Sequence, residues 1–177
     1  MNYTLKEIKS CSATAENPDA LSGQGGKTNN GRKGCPCVEP LAAGVTKTLL
    51  HKFGSGTIRK IWCTIPPEHP EHLRNLILRM YWDGQEIPSV EVPLGDFFGI
   101  AHGRQKNMVT PYVGMQDAKG FNCFIPMPFQ KEVMISIEND SDTDVDMFFY
   151  QIDFTLGDTH DENTGYFHAQ FRRENPC

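Results

Sequence analysis

The sequence predicts an all-β fold, a jelly-roll β-sandwich of two antiparallel sheets joined by long corner loops. Three observations lead there. Apolar residues recur at period two in segment after segment, the pattern of strands with one buried face. Gly- and Pro-rich breaks separate those segments. No stretch carries a helical period of convincing length, and there is neither an internal repeat nor a low-complexity tract. Seven or eight strands of this kind fit two stacked sheets.

The composition bounds what such a fold can be. A chain of 177 residues is one ordinary domain with a real core. Its 11 Phe indicate an interior built from aromatic and β-branched residues. A net charge of −5 with no block of like charges argues against a nucleic-acid partner, which would need a clustered basic face. No apolar run approaches a membrane span. The opening segment MNYTLKEIKSC has no apolar core, so the default expectation is a cytoplasmic protein without a leader. The cysteines (Cys11, Cys35, Cys37, Cys63, Cys123, Cys177) are scattered and read as free thiols, with Cys63 and Cys123 as small apolar core residues. Cys35-Pro-Cys37 is a weak metal signal without a second Cys or His pair at zinc spacing, and no metal is predicted.

In chain order, residues 1–40 are rich in Gly, Asn, Lys and Ser and read as a mobile N-terminal arm or loop; residues 41–177 read as a single jelly-roll domain. Val45 to Phe53 is the first strand expected. Thr57 to Ile65 follows, with Ile58 and Trp62 among its apolar positions, and stops at Pro66-Pro67. His69 and His72 are expected in a solvated loop. In the next strand Leu76, Leu78, Met80 and Trp82 share one face, and Ile77, Arg79 and Tyr81 the other. Arg79 among apolar neighbours calls for a partner carboxylate, Glu91 or Asp96 being the simplest.

Asp83-Gly84 then signals a hairpin, because glycine supplies the positive φ of a tight turn; Pro88 implies a loop longer than two residues. Gly99 to Gly120 is irregular, and NCFIPMPF (Asn122 to Phe129) carries two prolines that place it at an edge or corner. Val133, Ile135 and Ile137 point inward from Lys131 to Asn139. NDSDTD (Asn139 to Asp144) is a polar turn that matches no calcium-loop spacing. Phe148, Tyr150, Ile152, Phe154 and Leu156 line one side of the strongest strand. A last strand, Tyr166 to Arg173, sets Phe167, Ala169 and Phe171 against Tyr166, His168, Gln170 and Arg172.

The chemistry is narrowed mainly by exclusion. There is no glycine-rich phosphate loop, no Gly-x-Ser-x-Gly elbow and no His-Glu-x-x-His helix. What stands out is the hairpin from Tyr81 to Gly99, which gathers Asp83, Glu91, Asp96 and Trp82, and the polar face of His168, Gln170 and Arg172. Acceptors, donors and an indole suit a polyhydroxylated ligand. Solvated surface is the plain alternative for both. Glycoside hydrolysis needs two carboxyl groups roughly 5 Å apart for retention or roughly 6.5–9.5 Å for inversion, and Glu91 and Asp96 lie five residues apart across a corner.

Several segments in order carry a resemblance: Ile61-Trp62-Cys63-Thr64, Ile77-Leu78-Arg79-Met80-Tyr81-Trp82-Asp83-Gly84, Pro88 through Phe98, Asn122-Cys123-Phe124, Pro126-Met127-Pro128-Phe129 and Tyr166 through Arg173. With Ser12 through Pro18 and Gly25-Gly26, they resemble glycoside hydrolase family 172. The resemblance implies a bacterial protein of two jelly rolls, assembled as trimers or hexamers. Members are retaining, exo-acting furanosidases on α-D-fructofuranosides or D-arabinofuranosides that need no cofactor. The family's catalytic glutamates lie in Trp-Trp-Gly-Glu-Gly and Gly-Thr-Gly-Thr-Glu-Asp-Tyr motifs, and neither motif occurs in this sequence. The resemblance thus implies the N-terminal half, as a truncated product, a fragment or one half of a split enzyme, with no catalytic residue of its own and no activity alone.

In the complete enzyme, Trp82 is then expected as a ring platform for a furanose-containing oligosaccharide. Asp83 and Asp96 would accept from hydroxyls, His168 and Arg172 would donate, and Arg79–Glu91 would be a structural ion pair. The competing expectation is a non-catalytic, capsid-like or carbohydrate-binding sandwich that uses the same loops for assembly.

Overall fold

A computed structural model describes residues 5–66, 71–100, 103–117 and 119–176. It is a two-sheet β-sandwich. One sheet orders β1 (Lys9–Thr14), β11 (Phe149–Leu156), β3 (Gly56–Thr64), β8 (Gly120–Cys123), β7 (Val113–Gln116) and β6 (Met108–Val109), with β9 (Met127–Phe129) also paired to β3. The other orders β12 (Ala169–Gln170), β5 (Val90–Pro93), β4 (Leu76–Trp82), β10 (Glu132–Asn139) and β2 (Thr46–Phe53). Two single helical turns, α1 (His72–Asn75) and α2 (Leu94–Phe97), flank β4 and β5. All named pairings are antiparallel except β12 with β5, which is parallel. The chain crosses between sheets from β2 to β3 to β4 and again from β9 to β10 to β11, so both sheets close over one core.

The alternation in β4 and β10 puts Leu78, Met80, Trp82, Val133, Ile135 and Ile137 into that core, against Ile58, Phe121, Phe129, Ile152 and Phe154 from the facing sheet. Phe148, Tyr150, Ile152 and Phe154 are all buried; their burial contributes on the order of 10 kcal/mol gross, before ordering entropy is counted. Cys63 and Cys123 are buried in the same core.

Bulges break the simple period where the sequence reading went astray. The β11–β3 pairing shifts between Asp153 and Phe154, so Arg59 is an extra residue in β3. Ile58 faces inward, but beyond the bulge Ile61 and Cys63 take the inner face, and Trp62 falls on the other side, half-buried. A second shift opposite Ile135 and Ser136 lets neighbouring Leu49 and Leu50 both be buried.

Three expectations need correction. The N-terminal segment is not all arm: Lys9–Thr14 is the edge strand β1, paired along its length with β11. His72 is buried at the start of α1, its Nε2 3.2 Å from Thr143 Oγ1; His69 lies outside the described residues. The last strand is far shorter than Tyr166 to Arg173, because β5 is itself short and only Ala169–Gln170 pair with it.

Candidate functional site

The Tyr81–Gly99 hairpin owes its shape to its turn. Asp83 and Gly84 have φ of 55° and 77°, and Gln85 N–H closes the turn on Trp82 O at 3.2 Å. Aspartate is among the few residues that tolerate such a backbone, and here its carboxylate holds a second segment in place. Asp83 Oδ1 accepts backbone N–H bonds from Gln130, Lys131 and Glu132 at 3.0, 2.7 and 3.1 Å. Asp83 Oδ2 accepts the Tyr166 hydroxyl at 2.5 Å. Burial alone would raise the Asp83 pKa, but the Tyr166 hydroxyl and the three N–H groups outweigh it and hold the carboxyl below the usual aspartate range. The same contact pushes the Tyr166 phenol up to about 12.

Two expected ligand contacts are thereby corrected. Asp83 is no free acceptor for sugar hydroxyls, because both oxygens are used within the fold. Trp82 is no exposed ring platform: its side chain is 0% exposed, and its indole Nε1–H donates to Phe167 O at 2.8 Å. Both residues anchor the segment after Tyr166. That segment then runs along β5, with Ala169 N–H donating to Ser89 O at 3.1 Å and Phe171 N–H to Glu91 O at 3.2 Å.

The remaining candidates separate by face. Arg79 Nε donates to Glu91 Oε2 at 2.7 Å, and Nη1 donates to Glu138 Oε2, a second partner that the sequence did not indicate. Arg79 thus bridges Glu91 and Glu138 on the outer face of the five-stranded sheet. His168 is exposed on the docked segment. Asp96 stands in α2, its Oδ2 3.3 Å from Arg74 Nη1. That oxygen is buried and makes no aligned hydrogen bond, so the contact is an ion pair only. Arg74 also lies over the Phe171 ring, 5.2 Å from its centroid.

These contacts meet at a cleft of about 710 Å³, lined by Arg74, Asn75, Pro93, Phe171, Arg172 and Arg173. Helical turn α1 and β5 give one wall; the docked C-terminal segment gives the other. Of the expected site residues the cleft contains Arg172, and Asp96 adjoins it through Arg74. Trp82, Asp83 and the Arg79–Glu91 pair do not line it. Arg74, Phe171 and Arg173 were not singled out. The one signal for Phe171 and Arg173 was the run of Phe171, Arg172 and Arg173 behind a strand pattern; Arg74 had none.

A second feature escaped the sequence reading. Glu16 gathers the N–H groups of Thr28, Gly34 and Cys35 at 3.0, 3.1 and 3.0 Å and the Thr28 hydroxyl at 2.9 Å. These bonds, that of Thr28 N–H foremost, exceed the cost of burial and lower its pKa to about 2. The Gly- and Asn-rich stretch is therefore tied around one carboxylate. Beside it, Cys35 Sγ contacts Cys37 O at 3.5 Å and Cys37 Sγ lies 3.8 Å from Glu39 Oε2. Among the described residues no group of three or more His, Cys, Asp or Glu side chains is placed to hold a metal ion, and no helix is long and apolar enough to cross a membrane.

No curated protein matches the chain. A family model described as GH172 domain-like matches residues 38–152, which run from the bridge at Val38 through the whole Tyr81–Gly99 hairpin into β11. With the match spanning well over half the sequence and most of both sheets, the chain belongs to the GH172 domain-like family and is a glycoside hydrolase family member.

Proposed function

We propose that this chain is the N-terminal sandwich of a retaining, exo-acting furanosidase, supplying a pocket wall and part of a subunit interface rather than the reacting acids. The substrate class is an α-D-fructofuranoside or D-arabinofuranoside, as the family resemblance implies. The observation that carries the non-catalytic role is the engagement of the hairpin's carboxylates. Asp83 is consumed by four donors, Glu91 is hydrogen-bonded to Arg79, and Asp96 is ion-paired with Arg74. A retaining enzyme needs two carboxyl groups about 5 Å apart, one to attack and one to transfer a proton. Carboxylates already committed to arginines and backbone N–H groups serve neither role. The test is an assay of the purified chain on aryl fructofuranosides and arabinofuranosides. No turnover is expected; turnover abolished by Glu91→Gln would overturn the reading.

One observation favours a second reading, an assembling sandwich. The β6–β7 hairpin exposes Val109 and Tyr112 at 91% and 61%, and Phe124, bonded backbone to backbone with Tyr112, is 48% exposed. Light scattering of the chain and of a Tyr112→Ser variant separates the two. A defined oligomer lost in the variant, with no sugar-dependent change in melting, supports assembly alone.

A further inference from the structure

We infer that the cleft between α1 and the docked C-terminal segment binds an anionic sugar, one carrying a carboxylate or a phosphate. The inference rests on the cleft's own donors and holds whether or not the chain works as a catalytic accessory.

Three guanidinium groups line the cleft and one carboxylate, Asp96, adjoins it. Among the described residues no carboxylate lies within ion-pair distance of Arg172 or Arg173, so the cleft carries an excess of positive charge. The donors are also largely unspent. A guanidinium offers five N–H donors in a planar fork. Arg172 Nη2 donates to Gln170 Oε1 at 2.6 Å. No side-chain hydrogen bond from Arg74 or Arg173 to any described residue is formed, since Arg74 meets Asp96 without alignment. Arg74 is nonetheless fixed, with its side chain 35% exposed, by Asp96 on one side and the Phe171 ring on the other. A half-buried, positioned cation with open N–H groups is preorganised for an oxyanion.

The apolar components point to a sugar rather than a bare ion. Phe171 and Pro93 give the cleft carbon surface, and Asn75 adds an amide able to meet hydroxyls. A volume of about 710 Å³ lies well inside the range of about 300–1,000 Å³ for small-molecule sites. Two further arginines from an exposed tail would meet the anion from the side opposite Arg74. Oxygen atoms of a phosphate or a carboxylate match that fork geometry equally well, so the two sources share one recognition chemistry.

Calorimetric titration of the full chain with ribose phosphate, glucuronate, neutral ribose and inorganic phosphate tests this. Binding of ribose phosphate or glucuronate is expected, with ribose undetectable and inorganic phosphate at least several-fold weaker; which of the two sugars binds assigns the anion. An Arg172→Gln/Arg173→Gln variant should weaken the sugar anion on the order of tenfold or more, because each charge-assisted bond lost is worth that much. Both residues are exposed, so folding is spared, and unchanged melting confirms it. Added chloride should weaken binding in the wild type more than in the variant. Equal binding of neutral ribose, equal binding of inorganic phosphate, or unchanged affinity in the double variant would each overturn the proposal, as would no anion binding at all.

Discussion

Removing the Asp83 carboxylate should unlock two segments at once, and the size of the effect follows from its bonds. Three backbone N–H groups and one phenol donate to it. A hydrogen bond to a charged group contributes about 1.5–3 kcal/mol when buried. Lys131 is exposed while Gln130, Glu132 and Tyr166 are half-buried, so water replaces part of what is lost. Asp83→Ala should therefore cost about 3 kcal/mol, or a drop of about 6–12 °C in melting temperature for a chain of this size. It also puts a Cβ-bearing residue with no compensating side-chain bonds at a φ of 55°. Asp83→Asn keeps an acceptor for the three N–H groups and suits the backbone, so about 1 kcal/mol is expected at neutral pH.

The charge gives a sharper test through pH. The folded pKa of Asp83 is depressed, so its stabilisation is complete above the unfolded value of about 4 and is lost as pH falls through the folded value. The gap between wild type and Asp83→Asn, measured by urea unfolding with fluorescence, should shrink as pH is lowered below about 4. A gap that stays constant with pH, or an Asp83→Ala variant within about 0.5 kcal/mol of wild type, would refute the reasoning.

Four other substitutions test other contacts of the fold. Trp82→Phe loses the indole bond to Phe167 O and leaves a small cavity, at a cost of about 2 kcal/mol by denaturant melts, with faster hydrogen exchange at Ala169 and Phe171. Glu16→Gln should speed tryptic cleavage at Lys27, Arg32 and Lys33. Because the Glu16 pKa is lowered to about 2, the wild-type advantage should persist above pH of about 4.5 and fade as pH drops toward that lower value, as protease protection profiles would show. Glu91→Gln should change stability by no more than about 0.5 kcal/mol, since its side chain is 51% exposed, whereas Arg79→Ala, which strips the partner from both Glu91 and Glu138, should cost about 2 kcal/mol in chemical melts.

Where strands run without interruption, sequence period and structure agree for a plain reason. β4 has no bulge, so Leu76, Leu78, Met80 and Trp82 all reach the core. In β3 the extra residue Arg59 flips the faces, and nothing local in Thr57 to Ile65 announces it, because the bulge is a property of the pairing with β11. The site suffered from the same non-locality. Asp83 reads as an exposed acid beside a turn until Gln130–Glu132, far along the chain, arrive to bond it. Trp82 belongs to the buried row of β4, and its period was a better guide than its chemistry. Arg74 sat in a segment read as loop, and its partners Asp96 and Phe171 come from two other elements. Glu16 carries no local mark at all, since its donors are three backbone N–H groups and one hydroxyl that lie 12 to 19 residues along the chain.

The hairpin's acids and indole act on the cleft without lining it. One wall of the cleft rides on the segment from Tyr166, held to the sandwich by the Asp83–Tyr166 and Trp82–Phe167 bonds and by two backbone bonds to β5 and its approach. So short a strand as β12 opens more readily than the core strands. A ligand that engages Arg74 on the body and Arg172 or Arg173 on the segment spans the two and binds only the docked form. Linkage then works in both directions. Asp83→Ala, though outside the cleft, should weaken anion binding by whatever fraction of segments it undocks. A saturating sugar anion should in turn restore part of the lost stability, up to about 2.7 kcal/mol at a hundredfold excess over Kd. A thermal-shift titration of that variant with ribose phosphate reads the coupling directly: a smaller shift than in wild type at the same ligand concentration supports the link between hairpin and cleft, and an equal shift breaks it.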